Sequence, residues 1–375
     1  MEKKNTLKGS GKVLFIVPYP VGRAPSQRFR IEQFLPVLED RGIYYKLRPF
    51  LDEQAWNVLY KSGAAWKKGI HVLKGFLRRC YTVFIEAPQY KTIVIHREAA
   101  PLGPPVFEWW LALVLKKRVV YDFDDAIWIP NTSSDNKIAA GMKAFWKVAK
   151  ICKWSAVVLA GNDYLAAYAK NSGAGKVVFL PTVVDTRNKY IYSARKHRKD
   201  PVVVGWTGSH STLKYLELLI PVLQELQTAL DFTFLVIADK NPRLPLSRFE
   251  FLPWNTVTEM DDLLRIDIGV MPLTSDKWSE GKCGFKLIQY MALGTAAIAS
   301  PVGVNKKIVE DGINGFLCTS PDEWKQVLGT LITNAGLRMQ IGASGRSTIQ
   351  EAYSLETFST TFVNAITGKS NAGEE

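Results

Sequence analysis

Short apolar runs recur along the chain, separated by stretches with helical spacing. KVLFIVPYP (12–20) reads as a first buried strand, followed by KTIVIHRE (91–98), KRVVYDFDD (117–125), SAVVLAG (155–161) and KVVFLPTVV (176–184). Continuous apolar runs, rather than strict alternation, suit strands covered on both faces. RFRIEQFLPVLEDRG (28–42) and GPPVFEWWLALVLKK (103–117) carry helical patterns between them. This β-α-β rhythm predicts a doubly wound parallel sheet.

A second series begins at PVVVGWTG (201–208) and continues through DFTFLVIAD (231–239), RFEFLPW (248–254), IDIGVMPL (266–273), TAAIASPVG (295–303) and GFLC (315–318). Helical patterns fill its gaps at 210–230, 258–265, 283–294, 321–334 and 335–353. The polar segment YSARKHRKD (192–200) reads as a linker between the two series. A chain of 375 residues is long for one core and suits two domains. The expected division is 1–191, a linker at 192–200, and 201–354.

Charge sharpens the picture because it is uneven. Residues 1–200 hold 34 Lys and Arg against 16 Asp and Glu, and residues 201–375 hold 14 against 19. A basic first half implies an anionic partner. No nucleic-acid-binding motif accompanies the charge, so nucleic acid is not the expected partner. The four cysteines form no C-x-x-C pair and the four histidines no H-x-x-x-H, so a zinc site is not expected. No apolar run reaches the length of a membrane span, and the basic, polar N-terminus does not read as a signal peptide. A cytoplasmic protein is expected, peripheral on the inner face of the cell membrane.

Several motifs carry candidate chemistry. GSGK (9–12) precedes a strand and lacks the spacing of a phosphate-binding loop, and no G-x-G-x-x-G follows the first strand. GWTGSHST (205–212) follows a strand and opens a helix. Gly208 allows close backbone approach, and Ser209 and Thr212 supply hydroxyls where a helix N-terminus attracts anions; capping by Ser209 or Ser211 is the plain alternative. In EGKCGFKLIQYMALG a helix is expected to start near Cys283. Lys282 and Lys286 would then share one face beside a helix N-terminus, where a diphosphate fits, with Gln289 placed for a ribose hydroxyl.

In the first domain, YDFDDA (121–126) puts three carboxylates at a strand's carboxyl end, which reads as a catalytic or hydroxyl-orienting acid, a metal site, or a structural salt bridge. Gln27, Arg28 and Arg30 lie near the start of the helix after the first strand. The two arginines face a phosphorylated substrate, or one pairs with the YDFDDA acids. HRE (96–98), with Arg97, closes another strand on the same rim. QAWNVLYKSGAAWKKGIHVLKGFLRRC (54–80) has six Lys and Arg and no Asp or Glu. It reads either as a membrane-surface helix or as a core-packed helix pair with a basic exterior.

Together these residues resemble glycosyltransferase family 4 of the GT-B fold. GW-x-GS-x-x-T-x-x-YL, KCGFKLIQYMALG…ASPVG and EDGINGFL carry the resemblance in the second half. R-x-R-x-x-Q-x-L-P-x-L, HRE, VVYDFDDAIW, AGNDYLA and LPTVVD carry it in the first. The resemblance implies two Rossmann-like domains facing a cleft, with the C-terminal helix (about 355–375) crossing back onto the first. It implies retaining, metal-independent transfer from a UDP- or GDP-sugar to a glycan or lipid-linked acceptor in cell-surface polysaccharide synthesis, with no further cofactor. Lys286 and either Asp122 or Asp125 are the expected catalytic residues. Gly208, Ser209, Thr212, Trp254, Lys282, Gly284, Phe285 and Gln289 are expected on the donor side, and Gln27, Arg28, Arg30, Arg97 and Asn162 on the acceptor side. Where the family often carries Glu-x7-Glu, this chain has Gly281 and Gln289. A sugar-nucleotide epimerase and a catalytically silent binding module are the alternatives.

Overall fold

The computed structural model describes residues 12–59, 65–130, 143–191 and 201–369. The chain divides into two compact units. One runs through Pro181 and includes the residues from Phe358 onward; the other is Thr182–Thr357.

The first unit is built on β1 (Val13–Val17), β2 (Tyr45–Pro49), β3 (Thr92–His96), β4 (Arg118–Phe123), β5 (Val157–Ala160) and β6 (Val177–Phe179). All pair in parallel, in the order β2-β1-β3-β4-β5-β6. The central strands β1, β3 and β5 are buried throughout. Strand β2 is absent from the sequence reading. It lies at the sheet edge, half-buried along its length, and its Lys46, Arg48 and Pro49 break the apolar run that reveals the others. The helix expected over 28–42 is broken into Pro25–Arg30, a 3₁₀ turn Glu32–Phe34 and Leu35–Asp40. Pro36, in the first turn of the last piece, has no N–H to continue the ladder.

The second unit contains β7 (Val202–Gly208), β8 (Phe232–Ala238), β9 (Phe249–Pro253), β10 (Ile268–Met271), β11 (Ala296–Ala299) and β12 (Phe316–Leu317). Its parallel order is β12-β11-β10-β7-β8-β9. The core forms where Val204, Trp206, Phe234, Val236, Ile268, Val270 and Ile298 meet Leu223, Leu328 and Ile341 from the helices. The single helix expected over 210–230 is two elements: a 3₁₀ helix His210–Leu218, then an α-helix Ile220–Ala229 with proline in its first turn. Residues 182–191 go with this unit, where Val184 bridges to Ser354 and Tyr190 bonds to Gln289. The expected linker at 192–200 lies outside the described residues.

The terminal helix Leu355–Thr367 carries Phe362 into the first core. Its ring stacks on Phe34 at 4.2 Å between centroids and on Phe15 at 6.4 Å. Truncating a fully buried phenylalanine leaves a cavity beside β1. Phe362→Ala is therefore expected to destabilise the protein by about 3–5 kcal/mol, read from denaturant unfolding. A change below about 1 kcal/mol would mean the ring is not part of the core.

Candidate functional site on the carboxyl rims of the two sheets

Ligands of open parallel sheets bind outside the carboxyl ends of the strands, where the winding direction reverses. Chain order places that point between β7 and β10 in the second unit and between β1 and β3 in the first. Both points are lined by polar side chains.

In the second unit, helix Phe285–Ala292 follows β10. Its N-cap is Gly284, at φ 67°, and a Cβ there would fall 2.3 Å from the Ile308 side chain. Only glycine meets both demands. Tyr290 Oη accepts a 2.9 Å bond from Thr207 N, which ties this helix to the end of β7. Lys286 then lies directly over Gly208: a Cβ on Gly208 would sit 2.9 Å from the lysine Cε. The ammonium of Lys286 is 5.2 Å from the centre of the Trp206 ring, which is buried. Lys282 Nζ lies 6.0 Å from the ring of Tyr215 and 5.8 Å from that of Trp278. Two cations thus rest on aromatic rings, Lys286 on Trp206 of β7 and Lys282 on Tyr215 and Trp278, an attraction worth about 0.5–2 kcal/mol each.

This geometry revises the helical-face reading. The helix begins at Phe285, so Lys282 precedes it, and the turn of Lys277–Glu280 brings it to the rim. Phe285 is the first helical residue and half-buried. Gln289 is buried and its Nε2 donates to Tyr190 Oη at 2.8 Å, so the amide expected on a ribose fastens 182–191 to the unit. Ser209 Oγ pairs with Ser211 Oγ at 2.8 Å and makes no cap. The Thr212 hydroxyl donates to Ser209 O. The element they open is 3₁₀ rather than α. Trp254 follows the edge strand β9, and its Nε1 donates to Glu259 at 3.2 Å. The pair His210 and Asp239, at the ends of β7 and β8, was not foreseen. His210 N donates to Asp239 Oδ1 at 2.6 Å, and Nδ1 lies 2.5 Å from Oδ2.

In the first unit, His96 and Asp122 are register partners on β3 and β4. His96 Nδ1 lies 2.7 Å from Asp122 Oδ2, and Ser26 Oγ lies 2.8 Å from His96 Nε2. Arg30 donates to Asp122 through Nε at 3.1 Å and through its terminal nitrogen at 2.5 Å, and it also reaches Leu180 O. Arg30, His96 and Asp122 have no exposed surface. An ionised Asp122 can only accept, so it draws Nδ1–H of His96, and the far ring nitrogen, Nε2, faces Ser26. Asp122 is therefore removed from any substrate, and Ser26 is the outermost member of the chain. Neither Ser26 nor His96 was singled out from sequence. Residue separations of 70 and 26 hide the contacts, and the shared strand-end rim was the one available signal.

Arg97 closes the same rim. It is a non-glycine residue at φ 60°, held by Tyr121 Oη donating to its carbonyl at 2.7 Å. Its guanidinium donates to Asp124 at 2.8 and 3.0 Å and to Asp125 at 2.5 Å. Burial pushes the Asp124 carboxyl up, but Arg97, His96 and Arg30 together outweigh it and hold it well below the usual carboxylate range. Other expected acceptor-side residues do structural work. Gln27 bonds Tyr19 N and O at 2.9 Å, and Asn162 caps helix Asp163–Asn171 by accepting from Leu165 N at 2.8 Å. Arg28 is buried, with its guanidinium 5.1 Å from the Phe29 ring centre.

With both rims described, the class of fold follows. The two six-stranded units have the GT-B architecture of paired Rossmann-like sheets. Residues 201–334 match the family model described as Glycosyl transferases group 1. The Anabaena protein Alr3699/HepE, solved with UDP and glucose, is 17% identical. The match covers 96% of this chain and all of that one, with a TM-score of 0.66. Sucrose-phosphate synthase from Thermosynechococcus elongatus is 14% identical over 94% and 98%, at 0.69. A glycosyltransferase from Rickettsia africae is 13% identical over 96% and 100%, at 0.67. No curated protein sequence matches the chain.

Removing one partner of a fully buried ion pair strands the other. Arg30→Met is expected to destabilise the protein by about 3–5 kcal/mol; unfolding within 1 kcal/mol of wild type would refute the pairing. Asp124 gives a pH prediction. Its folded pKa lies below the unfolded value of about 3.9, so its contribution is complete above that pH and is lost as pH falls toward the folded value. In Arg97→Met burial acts with its principal opposing cation removed. The acid-unfolding midpoint, followed by circular dichroism, should move to higher pH; an unchanged midpoint argues against this assignment.

Proposed function

We propose that the protein is a retaining, metal-independent glycosyltransferase of family 4. It moves a hexose from a nucleotide-diphosphate sugar to a glycan or lipid-linked acceptor in cell-surface polysaccharide synthesis. The observation that carries this reading is the placement of Lys286 on the Trp206 ring beside Gly208, with Lys282 on Tyr215, at the switch point of the unit whose residues 201–334 match the glycosyl transferase model. Glycine at 208 lets the Trp206 ring and the Lys286 chain pack against the backbone, which sets the ammonium at the carboxyl end of β7. Two ammonium groups there stabilise the diphosphate as it departs, which is where charge develops in the reaction. In front-face transfer the leaving phosphate oxygen takes the acceptor proton, and the enzyme contributes position and electrostatics. UDP is the favoured donor nucleotide, since the Anabaena neighbour was solved with UDP and glucose; GDP is the alternative.

On the acceptor side, Ser26 is the one member of the His96–Asp122 chain placed to meet a hydroxyl, with Arg97, Asp124 and Asp125 beside it. A catalytically silent binding module is the second reading. It is favoured by Gln289, which is bonded to Tyr190 where the related pattern has an acid.

Calorimetry with UDP, GDP and ADP tests the donor site. Wild type should bind one of them, and Lys286→Ala should bind it at least about tenfold more weakly, a loss of about 1.4 kcal/mol. Binding of none of the three would remove the donor-site assignment. Binding without transfer or hydrolysis of the matching nucleotide sugars would bring the silent module forward.

A further inference from the structure

Helix Ala65–Tyr81 has two apolar faces, and its own core needs one of them. The inner face is accounted for: Gly75 abuts the Phe50 ring, and Phe76 packs edge-on to Phe50 with centroids 5.2 Å apart. Buried Arg79 donates to the carbonyls of Val17, Arg48 and Ala99. The outer face carries Trp66, Ile70, Leu73, Leu77 and Tyr81, spaced four, three, four and four residues apart. That spacing lines them along one stripe. Trp66, Leu73 and Leu77 are 67%, 60% and 63% exposed.

The stripe does not end with the helix. Phe84 and Ile85 extend it through the π turn Thr82–Glu86. Phe84 meets Trp110 at 5.2 Å, which joins it to the neighbouring helical segment 106–114, where Val106, Trp109, Leu113 and Val114 are also exposed. Eleven of the twenty exposed large apolar side chains among the described residues lie on these two elements. Scattered apolar residues are ordinary on a surface, but a joined patch marks an interaction site.

The charge around the patch selects its partner. Lys67 and Lys74 flank the stripe, and 65–81 contains no Asp or Glu. Lys67 Nζ lies 5.6 Å from the Trp66 ring centre. The acids of the adjoining turns are withdrawn: Glu86 is buried against Lys46 and Arg48, and Glu108 is buried beneath Ala99 N. A second copy docked through this face would oppose lysine to lysine. An anionic lipid surface instead accepts the rings and aliphatic chains at headgroup depth and neutralises the lysines. No helix among the described residues is long and apolar enough to cross a membrane, so the contact is one of lying on the surface.

We infer that the outer faces of 66–85 and 106–114 form a monotopic docking surface for an anionic lipid bilayer. This deepens the proposed function by bringing a lipid-linked acceptor to the first unit. Its own test does not depend on that function.

The test is co-sedimentation of the full chain with vesicles of phosphatidylcholine alone and of phosphatidylcholine with phosphatidylglycerol, at low and high salt. Wild type should pellet with the anionic vesicles at low salt and at least about tenfold less with the neutral ones. The double variant Leu73→Ser, Leu77→Ser should lose that binding while keeping the wild-type melting temperature and nucleotide affinity. The lysine variant Lys67→Ser, Lys74→Ser should lose the preference for anionic vesicles. Wild type remaining in the supernatant, or binding unchanged in the double variant, overturns the inference. So does a concentration-dependent dimer in sedimentation velocity that the double variant abolishes, which would assign the face to a second copy. Nucleotide binding is measured on the same samples, so a failed donor site and a failed docking face are told apart.

Discussion

A carboxylate with no exposed surface must be compensated inside the protein, and Asp122 sets that constraint for the first unit. Its two oxygens are met by Arg30 from the helix after β1 and by His96 from the neighbouring strand, and Arg30 goes on to the backbone at Leu180. One buried charge thereby joins β3, β4, the first helix and the chain beyond β6. It also fixes the imidazole, because a carboxylate that only accepts holds the proton on Nδ1.

The two units use the same topological position for opposite electrostatic purposes. At the switch point of the second sheet two lysines rest on aromatic faces, Lys286 on Trp206 and Lys282 on Tyr215 and Trp278. At that of the first sheet the cations are spent on carboxylates: Arg30 on Asp122, and Arg97 on Asp124 and Asp125. In the proposed reaction the first kind of rim meets the phosphorylated donor and the second the hydroxylic acceptor.

How much of this was legible in the sequence follows from range and burial. Buried parallel strands are continuous apolar runs, so β1, β3, β4 and β5 stood out, while the edge strand β2, with Lys46, Arg48 and Pro49, did not. Lys286 was legible because it follows a strand and a glycine-bearing turn. The ring beneath it was not, because a tryptophan within β7 reads as core. Gln27, Asn162 and Gln289 were expected as ligand contacts from their places along the chain and from the family resemblance, yet each has a partner within its own unit, that of Asn162 three residues away. Local polar residues near strand ends first satisfy the backbone and the turns. What remains for a ligand is the set held by long-range packing, which a single sequence does not display.

The charge asymmetry of the chain shows the same limit. An excess of basic residues in the first half says that an anion is near, but not where. Among the described residues, three groups of those cations serve separate ends. Arg30, Arg79 and Arg97 are struts for carboxylates and carbonyls. Lys46, Arg48 and Arg78 pair with Glu86 and Asp52 near the β2 edge. Lys67 and Lys74 are set along the rim of an apolar stripe on a helix that carries no acid. Of these three groups the last is the one that stands beside exposed apolar surface. The net charge of the half is a sum over roles that have little to do with one another.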